Sequence, residues 1–332
     1  MSYDFSKMTD RRGSNSLKWN IKEDELPMWV ADMDFKTAPE ITAAIQKKVE
    51  KGIYGYTIVP DEWYQAVSGW WDRRHNFKIE KDWLIFSTGV VPAISSVIRK
   101  LTTVAENVVV QTPVYNIFFN SIVNNGRHVL ENKLIFDGKE YKVDFEDLEY
   151  EYIPFASVSE KCRKNSVSCL APSKAFNLAG IHTAAVVVPD QALRHRVDRG
   201  LNTDEVAEPN IFAVEAAVAA FESGEEWLNQ LRIYLKENKK IAGGFLENEL
   251  PDLYLLPAHA TYLLWIDCSA ITQDTEELCD FIRAETGLYL SAGKIYGGDG
   301  RKFVRMNIAC PRERLKDGLQ RFKKAVKLYK NV

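Results

Sequence analysis

Between Trp83 and Val188 short apolar runs alternate with amphipathic stretches, and this alternation constrains the fold more than any other feature. Trp83 to Ser87 predicts a strand, which Thr88-Gly89-Val90-Val91-Pro92 turns into a helix through Leu101. Asn107 to Gln111 predicts a second strand, with Thr112-Pro113-Val114-Tyr115 at its C-terminal end and a helix beyond. Arg127 to Leu134 predicts a third, followed by a hairpin-like Phe136-Asp137-Gly138-Lys139 and an acidic helix start near Asp144. Val167 to Leu170 and Ala184 to Val188 are two more, framing Pro172-Ser173-Lys174. Such interleaving specifies an α/β unit with a largely parallel sheet. Ligands of such sheets bind beyond the C-terminal strand ends. Thr88-Gly89, Pro113 to Tyr115 and Ser173-Lys174 each follow a strand in this way, so they are candidate contacts on one edge.

Lys174 is the most informative of these residues. An unpaired ammonium is costly to desolvate, so a lysine in a turn between two buried strands should be paired or chemically employed. A lysine that forms a Schiff base must also lose its proton, which burial or cationic neighbours favour. A bare Ser-Lys pair is weak evidence; the string Ala171-Pro-Ser-Lys-Ala-Phe-Asn-Leu-Ala-Gly180 is far more specific.

The flanks read differently. Asp10 to Ser16 is a polar arm, and Leu26 to Phe35 is a dense apolar strip carrying Asp32 and Asp34. Pro39 opens an amphipathic helix that ends at Gly52, and Pro60 opens another. Helices follow Val188, over Gln191 to Leu201, Pro209 to Phe221 and Glu225 to about Glu249. From Leu253 the pattern becomes an α+β unit: strand Thr261 to Cys268, helix Thr275 to Thr286, strands Leu288 to Leu290 and Lys302 to Ala309, and helix Arg312 to Tyr329. With 332 residues, 46% of them hydrophobic, the chain can bury a large core and divide into domains. The expected division is an arm and part of the small domain over 1–40, a large domain over 41–235 and a small domain over 236–332.

A formal charge of −3 with mixed signs gives no basic field for nucleic acid. Five scattered cysteines without a C-x-x-C argue against a disulfide framework or a zinc site and favour a reducing, cytoplasmic compartment. The N-terminus has no apolar signal core, and no stretch is suited to crossing a membrane. No metal motif, phosphate-binding P-loop or nucleophile elbow occurs.

The lysine string resembles that of the fold-type-I pyridoxal-phosphate (PLP) enzymes of the aminotransferase class I/II superfamily, above all the MalY/PatB-type cystathionine β-lyases. Pro27 to Phe35, Tyr54-Gly-Tyr-Thr57, Thr88 to Ala93, Thr112 to Tyr115 and Phe303 to Arg312 match in order. The resemblance implies an α/β, aspartate aminotransferase-like large domain with a mostly parallel sheet, plus a smaller α+β domain. It implies a homodimer that binds PLP and an amino-acid substrate, and cleaves cystathionine or related S-substituted cysteines to thiol, pyruvate and ammonia.

Lys174 would be the catalytic and cofactor-holding residue. Gly89, Val90 and Val91 would bind the phosphate at a helix start, with Ser173 beside them. Tyr115 would stack on the cofactor ring, and Tyr56 would reach the phosphate of the neighbouring subunit. Arg305, sharing a face with Phe303 and Asn307 by period-2 alternation, would receive the substrate α-carboxylate. Trp29, Val30, Ala31 and Asp32 would lie at the substrate mouth.

The same resemblance exposes two departures. Aminotransferases proper often carry an arginine eight residues after the lysine; here that residue is His182, which leans toward the lyase branch. The family pattern also contains an Asn-Pro strand end and a strand whose Asp pairs with the pyridine nitrogen, and neither occurs here. The chain passes from Val143 to Leu148 directly to Ile153 to Ser157. About 50 to 60 residues, or two strand–helix units, are therefore expected to be missing after residue 149. Two alternatives stay open: an aminotransferase on the same fold, and a non-catalytic binding or regulatory protein that lost the pyridine-nitrogen carboxylate.

Overall fold

The computed structural model of the chain describes residues 2–142, 154–258 and 260–331. The acidic residues Asp144, Glu146, Asp147 and Glu149, and the junction where a segment is expected to be missing, lie outside these.

A two-residue strand, β1 (Leu26–Pro27), precedes helices α1 (Pro39–Lys51) and α2 (Asp61–His75). Pro39 starts α1, and Gly52 ends it in the left-handed conformation at φ 64°. The alternating region follows: β2 (Leu84–Ser87), α3 (Val90–Leu101), β3 (Asn107–Thr112), α4 (Ile117–Val123) and β4 (His128–Lys133). A small hairpin, β5 (Ile135–Phe136) and β6 (Tyr141–Lys142), comes next. Short helices α5 (Phe155–Val158) and α6 (Glu160–Lys164) lead to β7 (Ser168–Leu170) and β8 (Ala184–Val187). Three helices then run in sequence, α7 (Gln191–Thr203), α8 (Ala213–Ser223) and α9 (Glu225–Glu249). The C-terminal part comprises β9 (Tyr254–Leu255), β10 (Leu263–Asp267), α10 (Thr275–Thr286), β11 (Leu288–Tyr289), β12 (Ser291–Ala292), β13 (Phe303–Asn307) and α11 (Arg312–Tyr329).

The fold class is α/β, but the strands of the alternating region form two separate pieces. One has the order β2-β8-β7 and the other is the pair β3-β4. Parallel pairing is realised between β3 and β4, whereas β8 runs antiparallel to both its neighbours. The reason is the connection: β7 returns to β8 through the irregular loop that carries Lys174, not through a crossover helix, so the two strands must oppose. Among the described residues, β7 and β3 each have a single strand neighbour. A two-stranded parallel pair is an unusual arrangement, because parallel sheets are normally covered on both faces. Here Val109 and Leu130 stand 62% and 51% exposed on it. Among the described residues no strand joins the β2-β8-β7 piece to the β3-β4 pair.

The C-terminal sheet is antiparallel, in the order β12-β13-β10-β9. β1 pairs with β11, and the strip that follows β1 is carried across the C-terminal sheet by Met28 N–H to Tyr289 O, Asn307 N–H to Met28 O and Asp34 N–H to Ala309 O. Gly287, which ends α10 at φ 69°, must be glycine, since a Cβ there would lie 2.8 Å from Asp24 O.

Candidate active site

The loop after β7 is held by its own next residues. Phe176 is fully buried, stacked on Trp227 at 6.0 Å and edge-on to Trp70 at 5.7 Å. Its ring lies so close to α9 that a Cβ at Gly224 would stand 2.5 Å from it. Burying a phenylalanine contributes about 1.5–3 kcal/mol, enough to anchor the turn two residues from Lys174. Asn177, at φ 57°, accepts from Met33 N–H and donates to Met33 O and Phe35 O, fastening the loop to the strip.

That strip, residues 29–32, is where the site assembles. Lys174 Nζ donates to Ala31 O at 3.0 Å and Arg305 Nη2 donates to Trp29 O at 2.5 Å. The intervening carbonyls of Val30 and Asp32 both accept from Asn307 Nδ2, at 2.6 and 2.7 Å. The carbonyls of residues 29 and 31 therefore meet the two cations, and those of residues 30 and 32 meet Asn307. Ala31 O and Trp29 O are separated by two residues, at most about 7 Å.

Both cations lack a carboxylate partner among the described residues. The Lys174 side chain is exposed rather than buried as expected, because its turn stands at the open end of the β2-β8-β7 piece. The surrounding protein nonetheless lowers its pKa: partial burial is the main cause, Arg305 adds to it, and Asp32 opposes it. Arg305 is half-buried, its Nε has no partner, and its guanidinium lies 4.8 Å over the Tyr296 ring. Burial pulls its pKa down, while Tyr296, Tyr115 and Tyr262 pull it up.

Behind the strip lies a charge cluster. Asp34, 1% exposed, takes Arg11, Lys18 and Arg314 at 3.1, 3.2 and 3.0 Å and the Trp19 indole N–H at 2.9 Å. Burial works to raise its carboxyl pKa, but Lys18, Arg314 and Trp19 overcome it and hold the group below the usual range. Asp32 is bound by Arg11 at 2.8 Å. In front, Trp29 stacks on Tyr289 at 4.6 Å, and Arg283, gripped by Glu25, covers the other side of Tyr289.

The remaining predicted residues divide. Ser87 pairs with Ala184 and Leu170 with Ala185, so the ends of β2 and β7 emerge together, two strand spacings or about 10 Å apart. Gly89, Val90 and Val91 at the start of α3, where backbone N–H groups are free, therefore share an end of the sheet with Ser173 and Lys174. Tyr115, 46% exposed, joins through the C-terminal part: Val114 N–H donates to Tyr296 O at 2.8 Å. Tyr56 does not join within the single chain, because its side chain is fully exposed. Sequence reasoning missed Ser291, Tyr296, Asn307 and Tyr262 as parts of the site. Tyr262 gave no signal, since in an alternating strand it reads as one more core position.

Over 384 aligned residues the chain is 33% identical to the cystathionine β-lyase PatB of Bacillus subtilis, covering 97% of this chain and 99% of the relative. The chain belongs to the MalY/PatB-type branch of aminotransferase class I and II. The profile of that family, Aminotransferase class I and II, matches residues 161–322. A PLP-bound protein of Clostridium difficile 630 superimposes with a TM-score of 0.94 at 32% identity, covering 98% of this chain and 100% of that one. Cystalysin of Treponema denticola, whose structure contains PLP, gives 0.93 at 25% identity, covering 98% and 99%. In the comparison with PatB, 97% of 332 residues is about 322, so about 60 of the 384 aligned positions in total have no residue in this MalY/PatB-type chain.

PLP is the cofactor of this family, and most of the site fits it. Lys174 has a lowered pKa and, among the described residues, no ion-pair partner, α3 offers its N-terminus at the same end of the sheet, and Arg305 keeps an unpartnered buried Nε. The ring nitrogen is the exception. The carboxylate felt at Lys174 is Asp32, which Arg11 already holds.

Proposed function

We propose that this chain is a PLP-dependent carbon–sulfur β-lyase acting on cystathionine or related S-substituted cysteines, with the substrate class taken from its PatB relative. The observation that carries the reading is the pair of uncompensated cations, Lys174 and Arg305, on adjacent outward carbonyls of one strip. An arginine without a carboxylate in a half-buried place calls for an anion from the ligand, and its planar fork suits an α-carboxylate.

Lys174 would hold PLP. The N–H groups of Gly89, Val90 and Val91, with Ser173, would bind its phosphate, and Tyr115 would lie against its ring. PLP, when bound, supplies an electron-withdrawing ring joined to the substrate amine. Arg305 fixes the carboxylate, while Trp29, Val30, Ala31 and Asp32 wall the mouth. Lys174 Nζ takes the proton from Cα as the Cβ–S bond breaks. The sulfur leaves as thiol, and with one water the carbon skeleton ends as pyruvate and ammonia.

Tyr56, with Ile53 and Ile58 exposed beside it, would complete the phosphate site of a second copy, so the working unit is a homodimer. The chain would divide into an arm and part of the small domain over 1–40, a cofactor-binding domain over 41–235 and a small domain over 236–332, and its compartment would be the cytoplasm. Incubation of the PLP-loaded protein with cystathionine tests the reading. Thiol and pyruvate should form without a keto-acid acceptor; amino transfer that requires an acceptor would overturn it.

A further inference from the structure

Tyr262 reaches the backbone carbonyl that holds Lys174 at rest. It is 8% exposed, with its ring in the main core and its hydroxyl donating to Ala31 O at 3.1 Å. This is the same oxygen that receives Lys174 Nζ at 3.0 Å. A carbonyl oxygen has two lone pairs and can accept both donors, but each draws on the same electron density.

We infer that Tyr262 is a positioning residue for Lys174: both donate to Ala31 O, and the tyrosine keeps that oxygen partnered when the lysine leaves it. Two physical consequences follow. A part-buried carbonyl that loses its donor bears part of its desolvation cost, and the Tyr262 hydroxyl keeps Ala31 O partnered when the lysine leaves. A second donor also weakens the hold of that oxygen on an ammonium, which favours the neutral amine. The other charged or titratable groups felt at Lys174 are Asp32, which opposes this effect, and Arg305, which assists it. Arg11 and Lys18 lie behind Asp32 and temper its charge.

The inference rests on Lys174 being the reactive amine of the proposed function, and its test is done without PLP so that the two can fail separately. The PLP-free protein and its Tyr262→Phe variant are labelled with acetic anhydride over a series of pH values. The extent of modification at Lys174 is read by peptide mass spectrometry, with Lys174→Ala marking the peptide. Phenylalanine keeps the ring in the core, and far-UV circular dichroism checks the fold. The Tyr262→Phe variant should show a titration midpoint higher by about half a pH unit, so labelling near pH 7 falls about threefold. A lysine that merely shifted in space would change its maximal rate and leave the midpoint in place. An unchanged or lower midpoint in the folded variant overturns the inference. Tyr262→Leu, which removes ring and hydroxyl together, should move the midpoint in the same direction as phenylalanine.

Discussion

Lys174 and Arg305 are held at rest by carbonyls of the same strip, the lysine by Ala31 O at 3.0 Å and the arginine by Trp29 O at 2.5 Å. Neither has a carboxylate partner among the described residues. Each cation can therefore turn to a ligand by giving up a neutral acceptor, at a cost well below that of breaking an ion pair.

For Arg305 this predicts a substitution that damages binding and spares the fold. Arg305→Lys keeps the charge but loses the planar fork, so KM for the amino-acid substrate should rise by about 10- to 100-fold, with kcat changed less. Thermal unfolding should be nearly unaffected. A large drop in the melting temperature with unchanged KM would mark the arginine as structural.

Asp34 carries the pH dependence of the strip. Its folded pKa is depressed below the ordinary value of 3.8, so its stabilising contribution is fully present above that pH and is lost as pH falls through the folded value. The parent should lose stability steeply on acidification through this window, and Asp34→Asn should lose that dependence. The asparagine variant should also be less stable near neutrality, because Lys18, Arg11 and Arg314 would remain buried or half-buried without their shared anion. Acid titration of the two proteins by circular dichroism decides this, and identical acid midpoints would contradict it.

The divided sheet predicts uneven stability. β2-β8-β7 is buried along β2 and β8, whereas β3-β4 has exposed apolar residues and one strand neighbour on each strand. Backbone amides of β3 and β4 should exchange at least about tenfold faster than those of β8. Equal protection in hydrogen exchange would mean that β3-β4 is covered by another segment or another chain.

The unassigned ring nitrogen predicts slow chemistry on an intact binding site. A carboxylate that keeps the pyridine nitrogen protonated strengthens electron withdrawal, and Asp32 is engaged by Arg11. Assayed side by side, turnover of cystathionine should fall below that of PatB by about two orders of magnitude, or roughly 3 kcal/mol in the barrier. Comparable turnover would show that another group fills the place of that carboxylate.

Much of this was legible in the residues. The bounds Thr275–Thr286 and Arg312–Tyr329 were read directly, because Asp274 and Gly287 punctuate the first helix and Pro311 precedes the second. Lys174, Arg305 and the 29–32 strip were singled out through motifs, and the fold brings them into contact. The antiparallel return of β8 was not legible, since strand direction depends on the path of the lysine loop, which no local pattern encodes. Burial of Lys174 was expected from its apolar flanks and did not hold, because its turn stands at the open end of the β2-β8-β7 piece. Asn307 was read only as a face-mate of Arg305, and Tyr262 only as a strand residue, because their importance lies in which carbonyls they meet, a tertiary fact.

The central claim is that Lys174 binds PLP covalently, and trapping tests it most directly. The purified protein is mixed with PLP, reduced with borohydride and weighed intact. The 37.9 kDa chain should gain the mass of one reduced pyridoxyl phosphate, located by peptide mapping to Lys174, and Lys174→Ala should gain none there. An unmodified parent chain, or the same adduct level spread over other lysines in both proteins, would contradict the account.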